Sequence, residues 1–264
     1  MTTDDAMTTT DDHTGDGWRL LVGDYRDRLA SPASSFDSMI TDPPYAARVH
    51  HGHDYGVQSA ATFATVRRRR ELDYQPIDEN TAREFVAWSH RHVAGWIVII
   101  CDHISARWYE AALDDVGRYV FAPIVWYSRG SRFRVRGDGP TCWSTWIVVS
   151  RPRCRPWSSW GSLPGGYEAA PDRGQCVVGA KPLPLMCAIV RDYTRPGEHV
   201  VDPFAGGGST LAAAICEGRV ATGCELDAAT ATSAAARIAR DGVRDLFAPR
   251  PAAACEQLAL IPAD

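Results

Sequence analysis

A run of β-branched residues that enters a glycine-rich loop constrains the fold of this 264-residue chain more than any other feature. The segment reads Val200-Val201-Asp202-Pro203-Phe204-Ala205-Gly206-Gly207-Gly208-Ser209-Thr210, and an alanine-rich stretch follows it. Glycines let the backbone approach a ligand closely, and a helix that starts at Ser209 or Thr210 offers unpaired N–H groups. The pattern therefore predicts a strand, a ligand-binding loop and a helix in succession.

Acidic residues after the next strand-like run narrow the class of ligand. Residues 219–224 lead into Glu225-Leu226-Asp227, which places an acidic side chain at about the distance from the glycines that suits ribose hydroxyls. The loop does not have the form Gly-x-Gly-x-x-Gly, and no Gly-Lys-Ser/Thr phosphate loop occurs in the chain. The sequence therefore favours an adenosyl cofactor over a nicotinamide dinucleotide or ATP.

A second turn, whose side chains could take part in a reaction, follows the apolar run at residues 36–40. It reads Asp42-Pro43-Pro44-Tyr45. The two prolines fix the backbone and lack N–H donors, so a carbonyl can face a pocket between a carboxylate and an aromatic ring. Asp42 and the Pro43 carbonyl can accept both hydrogens of a planar amino group, while Tyr45 stacks on the attached ring. The alternative is a strand-ending proline turn in which Asp42 caps the next segment.

Strand-like and helical segments alternate along the chain. Strands are predicted at residues 18–22, 36–40 and 96–101, an antiparallel pair at 119–127 and 143–150, and helices at 81–93, 104–116 and 183–193. This order predicts an α/β fold with an open, mostly parallel sheet and an antiparallel hairpin at one edge. Because open sheets bind ligands at the carboxyl ends of their strands, Asp42 and Asp202 are expected at the same rim.

Together these motifs resemble the amino-group DNA methyltransferases that use S-adenosylmethionine, in the permuted, beta-class arrangement in which the tetrad at residues 42–45 precedes the cofactor loop. The matching pieces are Leu20-Leu21-Val22-Gly23-Asp24, residues 35–45, Lys181-Pro182-Leu183 and residues 202–208. The resemblance implies a Rossmann-like methyltransferase fold and a DNA substrate. It also implies methyl transfer to the exocyclic amino nitrogen of a base that is rotated out of the duplex.

The resemblance assigns roles to individual residues. The catalytic tetrad is Asp42, Pro43, Pro44 and Tyr45. The cofactor-binding residues are Asp24, Lys181, Pro182, Asp202, Pro203, Phe204, Ala205, Gly206, Gly207, Gly208, Ser209, Thr210 and Glu225. Within this set, the resemblance implies that Asp24 lies near the cofactor adenine, although Gly23-Asp24 could also be a simple strand-ending turn. It further implies that Glu225 binds the ribose hydroxyls and that Lys181 closes the pocket together with Pro182. No metal is required.

The target atom follows from the first tetrad residue. An aspartate there resembles the adenine-N6 enzymes more than the cytosine-N4 enzymes, which often carry serine, so N6 of adenine is expected and N4 of cytosine is the alternative. Two different functions stay open from the sequence: a non-catalytic DNA-binding module that retains the cofactor pocket, and a methyltransferase of RNA or a protein amide. The sequence also leaves open a restriction endonuclease partner, as in a restriction-modification system, and a homodimer.

The charge distribution indicates a DNA-binding segment. Five of the first sixteen residues are aspartates, so the net charge of −4 becomes +1 for the remainder of the chain. Residues 128–155 hold seven arginines and one acid, an excess that suits phosphates. The arginines expected to bind DNA are Arg129, Arg132, Arg134, Arg136, Arg151 and Arg153. The alternative is a solvated hairpin, since Lys181 is the only lysine and arginine is used everywhere else. Trp157 and Trp160 either contact bases or belong to the core.

The predicted organisation is an acidic, disordered tail at residues 1–17, one catalytic domain at 18–245 with a small target-recognition insertion at about 151–180, and a C-terminal extension at 246–264. No apolar run approaches the ~20 residues that cross a bilayer, and the acidic start is unlike a signal peptide, so a cytoplasmic location is expected. No Cys-x-x-Cys pair occurs, and His50, His51 and His53 have no completing ligand nearby, so no metal site is expected.

Overall fold

The computed structural model describes residues 11–30, 35–47, 76–128, 144–153, 160–170 and 180–243. The strands in these ranges are β1 (His13–Gly15), β2 (Trp18–Val22), β3 (Ser38–Thr41), β4 (Ile97–Cys101), β5 (Arg118–Val120), β6 (Ile124–Tyr127), β7 (Ser144–Pro152), β8 (Gly166–Glu168), β9 (His199–Asp202) and β10 (Val220–Glu225). The helices are α1 (Tyr25–Arg28), α2 (Glu79–His92), α3 (Ser105–Asp115), α4 (Leu183–Tyr193), α5 (Ser209–Cys216) and α6 (Ala228–Asp241). None of these helices is long and apolar enough to cross a membrane.

All ten strands form one sheet in the order β1-β2-β10-β9-β3-β4-β7-β6-β8, and β5 also pairs with β7. The five strands from β2 to β4 in this order run parallel to one another. β7 runs antiparallel to both β4 and β6. The predicted fold class, an open and mostly parallel α/β sheet with an antiparallel hairpin towards one edge, is confirmed.

The connections reverse direction between β9 and β3. From β9 the chain passes through α5 to β10 on one side, and from β3 it passes through α2 to β4 on the other. At such a reversal the loops that leave the two strands diverge and open a crevice at their carboxyl ends. The tetrad follows β3 and the glycine loop follows β9, so both predicted motifs line this crevice.

Apolar side chains cover both faces of the sheet. Every residue of β3 and of β4 is buried, as expected for central strands with helices on either side. Side chains from α4, α5 and α6 form one core cluster, and side chains from α2 and α3 form another. Asp78 and Asp227 accept hydrogen bonds from the first turns of α2 and α6, which fixes where these helices begin.

The predicted disorder of the acidic tail, residues 1–17, is wrong for residues 13–15. Residues His13–Gly15 form β1, which pairs antiparallel with β2. Asp12 accepts a 3.0 Å hydrogen bond from the Val22 N–H and forms an ion pair with Arg28. These contacts give a polar segment without apolar periodicity a fixed place at the edge of the sheet, which its composition alone did not predict.

The described part of the predicted insertion adds to the edge of the sheet. β8 pairs in parallel with β6, and the Trp126 indole donates a 3.1 Å hydrogen bond to the Ala169 carbonyl. The Trp160 ring packs edge-on against Trp96, 5.5 Å between centroids, and the Arg195 guanidinium lies 3.6 Å from its centroid. Trp96 precedes β4, at the rim opposite the tetrad, so the structure supports the core interpretation of Trp160 rather than base contact.

A buried arginine fastens the turn that leads into β4. Arg118 is 2% exposed, and its guanidinium donates to the carbonyls of Val93 and Gly95 and to the Ser150 hydroxyl. These acceptors belong to the segment between α2 and β4 and to β7. The Arg118 side chain therefore supplies hydrogen bonds to buried acceptors in the turn before β4 and in β7.

We expect Arg118→Met to lower the free energy of unfolding by about 3 kcal/mol, because it leaves buried carbonyls without a donor while keeping much of the side-chain volume. Arg107→Met, on the exposed face of α3, is the matched control and should change stability by less than about 0.5 kcal/mol. Urea denaturation measures both. Equal stability of the two variants would contradict the assigned role of Arg118.

Candidate active site

Two hydrogen-bonded strands hold the tetrad and the glycine loop side by side. β3 and β9 pair in parallel, with Ser38 opposite Val200 and Met39 opposite Val201. The Thr41 hydroxyl, at the end of β3, donates a 2.6 Å hydrogen bond to Oδ1 of Asp202 at the end of β9. The two motifs, about 160 residues apart in the chain, therefore meet at one rim, as the order of strands predicts.

On the tetrad side, the Asp42 carboxylate is paired with the only lysine of the chain. The Lys181 ammonium donates to Oδ2 of Asp42 and lies 5.6 Å from the centroid of the Tyr45 ring. Oδ1 of Asp42 is buried and has no hydrogen-bond partner among the described residues. Pro43 is buried, whereas Pro44 and Tyr45 are half-buried, so the turn presents its carboxylate and its ring at the crevice.

Burial and charge act in opposite directions on Asp42. Burial raises the pKa of the carboxyl group, and the Lys181 ammonium, together with the Tyr45 side chain, opposes that effect. The balance leaves the pKa above its ordinary value. Such a carboxyl group needs its cationic neighbour in order to stay ionised near neutral pH.

Asp202 anchors the glycine loop from within. Its Oδ1 accepts hydrogen bonds from Thr41 and from the Phe204 N–H. Burial raises its pKa to about 6, while hydrogen bonds from Thr210 and Thr41 lower it. Asp202 is 2% exposed, so its carboxylate holds the backbone of the loop rather than facing solvent.

The glycine loop folds back on the end of β10. Gly206 (φ +49°) and Gly208 (φ +74°) take left-handed conformations, and a side chain at Gly208 would collide with Ile238. The Gly206 N–H donates a 2.9 Å hydrogen bond to Oε2 of Glu225, whose Oε1 accepts a 3.0 Å bond from the Asp227 N–H. Glu225 is thus half-buried and held in one orientation beside the loop, and burial raises its pKa despite these hydrogen bonds.

Most of the remaining residues predicted to bind the cofactor are buried and hold the glycine loop in place, whereas Asp24 lies beside the end of β10. The Phe204 ring packs against Tyr25 and Phe85, with centroids 5.2 and 5.1 Å apart, so this side chain fixes the loop to the core. The anchors also include the buried residues Pro182, Pro203, Ala205, Gly207, Gly208, Ser209 and Thr210. Asp24 caps α1 and forms an ion pair with Arg26, next to the Gly23 N–H that donates to the Glu225 carbonyl.

Three residues that support the site were missed by the sequence reasoning. Thr41 links the two strands, as described above. Arg237, in α6, is 6% exposed and donates to the Gly207 carbonyl, the Ser209 hydroxyl and the Lys181 carbonyl. A buried arginine on an otherwise alanine-rich apolar face is the signal that could have identified it, because such a charge needs several partners.

Asp102, the third of these residues, supports the tetrad from the end of β4. Its Oδ2 accepts a 2.9 Å hydrogen bond from the Ala46 N–H and a 2.8 Å bond from the Ser105 hydroxyl, while its Oδ1 accepts from the Ile104 N–H. Burial raises its pKa, and these hydrogen bonds outweigh burial and lower it. The residue after Tyr45 is therefore fixed to the start of α3.

The structure describes two of the arginines that the sequence predicts to bind DNA, Arg151 and Arg153. Because β7 runs antiparallel to β4, its last residues lie at the rim opposite Asp42. Arg151 there lies over the Tyr119 ring, and Arg153 forms an ion pair with Asp114. Arg151 and Arg153 therefore lie away from the crevice, and their contact with DNA stays a prediction. The other arginines of the set, Arg129, Arg132, Arg134 and Arg136, lie outside the described residues.

The described ranges contain no group of three or more histidine, cysteine, aspartate or glutamate side chains placed to hold a metal ion. His50, His51 and His53 lie outside those ranges.

Comparison with known proteins finds similarity to methylases. Residues 178–236 match the family model of N6/N4 methyltransferases, described as DNA methylase. Over 212 residues the chain is 24% identical to YubD of Escherichia coli (strain K12), a chain named as a methylase, covering 79% of this chain and 84% of that one. Both matches are with methylases, and they support an amino-group (N6/N4) DNA methyltransferase family for this chain.

Solved structures of other proteins share the fold of this chain. TTHA0409 of Thermus thermophilus, described as a DNA modification methylase, has a TM-score of 0.56 at 24% identity and covers 84% of this chain and 94% of its own. M1.HpyAVI in complex with SAM has a TM-score of 0.61 at 18% identity, with coverages of 84% and 98%. The cytosine-N4-specific PvuII DNA methyltransferase has a TM-score of 0.61 at 16% identity, with coverages of 86% and 94%.

The raised pKa of Asp202 predicts a pH-dependent stability. Because the folded protein holds this proton more tightly than the unfolded chain, ionisation destabilises the fold as the pH rises from about 4 to about 6. Asp202→Asn keeps an acceptor for Thr41 and removes the charge. We expect it to raise the free energy of unfolding by about 2–3 kcal/mol at pH 7 and by about 1 kcal/mol at pH 4.5.

Urea denaturation at both pH values measures this difference. Asp115→Asn, which alters an exposed ion pair with Arg83, is the matched control and should show little change at either pH. A gain for Asp202→Asn that is the same at pH 7 and pH 4.5 would contradict the buried, high-pKa carboxyl group.

Proposed function

We propose that the chain transfers a methyl group from S-adenosylmethionine to the N6 amino group of an adenine that is rotated out of duplex DNA. The observation that carries this proposal is the junction of the two half-sites. Thr41 bonds Asp202, and Lys181 bonds Asp42, so the cofactor loop and the amino-binding turn share one crevice. A reaction between a bound donor and a bound base requires this proximity.

The residues of the glycine-loop side fit an adenosyl cofactor. Glu225 offers an oriented carboxylate beside the loop, and Leu226, directly after it, is 71% exposed and free to cover an apolar ring. Gly206 is partly exposed, and because it has no side chain, a ligand can approach its backbone closely. When bound, S-adenosylmethionine supplies an electrophilic methyl group on a sulfonium; TTHA0409 and M1.HpyAVI were each solved in complex with it.

The residues of the tetrad side fit a planar amino group on an aromatic ring. Asp42 and the Pro43 carbonyl accept its hydrogens, which orients the nitrogen lone pair, and Tyr45 stacks on the base. The base must leave the duplex to reach them, because its amino group is otherwise paired. An aspartate in the first position of the tetrad supports adenine N6 over cytosine N4.

The strand ends that flank the arginine-rich segment support DNA as the partner. Tyr127, the last residue of β6, pairs with Ser144, the first of β7, and residues 128–143 lie between them in the sequence. Because Trp146 lies opposite Cys101 at the carboxyl end of β4, these ends of β6 and β7 lie at the rim that carries Asp42. We propose that Arg129, Arg132, Arg134 and Arg136 contact DNA phosphates there.

We expect Asp42→Ala to lower methyl transfer more than about 100-fold while cofactor affinity stays within a few-fold, because the carboxylate serves the base and not the glycine loop. Transfer of tritiated methyl groups to unmodified plasmid DNA measures the rate, and calorimetric titration with S-adenosylmethionine measures affinity. Full transfer by the variant would remove Asp42 from the reaction.

The triple replacement of Arg132, Arg134 and Arg136 by Ala should weaken DNA binding and flatten its dependence on salt, since each phosphate contact contributes a slope near −0.9 in log affinity against log salt concentration. The double replacement of Arg151 and Arg153 by Ala is the matched control and should leave the slope unchanged. Titration at several salt concentrations compares the two. The hairpin plays no part in DNA binding if the triple variant keeps both the affinity and the slope of the wild type.

A further inference from the structure

Lys181 touches both halves of the site at once. Its N–H donates a 3.1 Å hydrogen bond to the Ser209 hydroxyl oxygen, and that hydroxyl donates a 3.0 Å bond to the Lys181 carbonyl. The Arg237 guanidinium, from α6, also donates hydrogen bonds to the Lys181 carbonyl and to the Ser209 hydroxyl oxygen. The backbone of Lys181 is therefore fixed to the beginning of α5, while its ammonium reaches across to Asp42.

The ion pair is sheltered from water. Lys181 is 8% exposed, and the side chain of Asp42 is 25% exposed. A carboxylate in such a place is strongly disfavoured unless a cation compensates its charge. The groups of the described structure that face Asp42 are Lys181, which carries a positive charge, and Asp202 on β9, which carries a negative charge once it ionises. The side chains of Tyr45, of Cys101 on β4 and of Tyr109 on α3 also face Asp42 and contribute no positive charge.

We propose that Lys181 is a positioning residue for the target base: its ammonium keeps the Asp42 carboxylate ionised and oriented so that the carboxylate accepts the amino group of the base. This inference rests on the proposed function and assigns Lys181 to the base side of the site instead of the cofactor pocket. Two lone pairs on each carboxylate oxygen allow Asp42 to bind Lys181 and the base together. A protonated Asp42 would instead present an O–H donor to the amino group of the base, which is itself a donor, and no hydrogen bond would form between them.

The test compares the pH dependence of turnover in the wild type, Lys181→Met and Lys181→Arg. Without the ammonium, the pKa of Asp42 rises, so the acidic limb of the profile should move up by about one pH unit or more in Lys181→Met. Turnover at pH 7 should fall at least about 10-fold, cofactor affinity should stay within a few-fold, and Lys181→Arg should restore the position of the limb. Arg83→Met, which removes an exposed cation, is the matched control and should keep the wild-type profile.

A second measurement is independent of activity. Because Lys181 is the only lysine of the chain, ¹⁵N-lysine labelling gives a single side-chain ammonium signal. The paired, sheltered ammonium should exchange its protons slowly with water and remain visible in the wild type, and the signal should broaden or shift in Asp42→Asn. An ammonium signal that is the same in both proteins would overturn the ion pair and with it the proposal.

The outcomes separate the two claims. A wild type that binds S-adenosylmethionine but transfers no methyl group to unmodified plasmid DNA overturns the proposed function, and the role of Lys181 falls with it. An active wild type whose acidic limb is unmoved by Lys181→Met overturns the role of Lys181 alone. A Lys181→Met variant that loses cofactor affinity in proportion to turnover also overturns it, because Lys181 then belongs to the cofactor pocket.

Discussion

The parallel pairing of β3 with β9 is the constraint on which the site depends. Its register places Thr41 within hydrogen-bonding distance of Asp202 and brings the tetrad to the start of the glycine loop. A shift of one residue would turn Thr41 and the whole buried face of β3 to the other side of the sheet. The full burial of β3 makes such a shift costly, so the packing of apolar side chains fixes the geometry of the polar site.

A buried polar network then joins the two halves. Asp202, Asp42, Lys181 and Arg237 all lie where isolated charges would be unfavourable, and each is held by a partner from another segment of the chain. Networks of this kind stabilise little in total, because desolvation offsets their attraction, but they penalise every arrangement in which one member lacks its partner. The arrangement therefore favours one relative position of the glycine loop and the tetrad.

The periodicity of apolar residues predicted the strands and helices around the site, and α4 and β2 have the bounds that the sequence indicated. The arginine of α6 was not predicted, because Arg237 lies 56 residues from Lys181 and only the packing of α6 brings them together. A count of charges could not separate Arg151 and Arg153 from the other arginines, because their place at the rim opposite Asp42 depends on the direction in which β7 runs. The order of β1 was missed because its contacts with β2 and Arg28 are long-range.

We propose that the residues around a single crevice between β9 and β3 carry out methyl transfer to N6 of adenine. Mass spectrometry of nucleosides tests it most directly, with DNA taken from cells that lack other DNA methyltransferases and express this chain. We predict N6-methyladenine in that DNA and none in DNA from cells that carry the empty vector. N4-methylcytosine without N6-methyladenine would contradict the assigned target, and the absence of any methylated base would contradict the proposed activity.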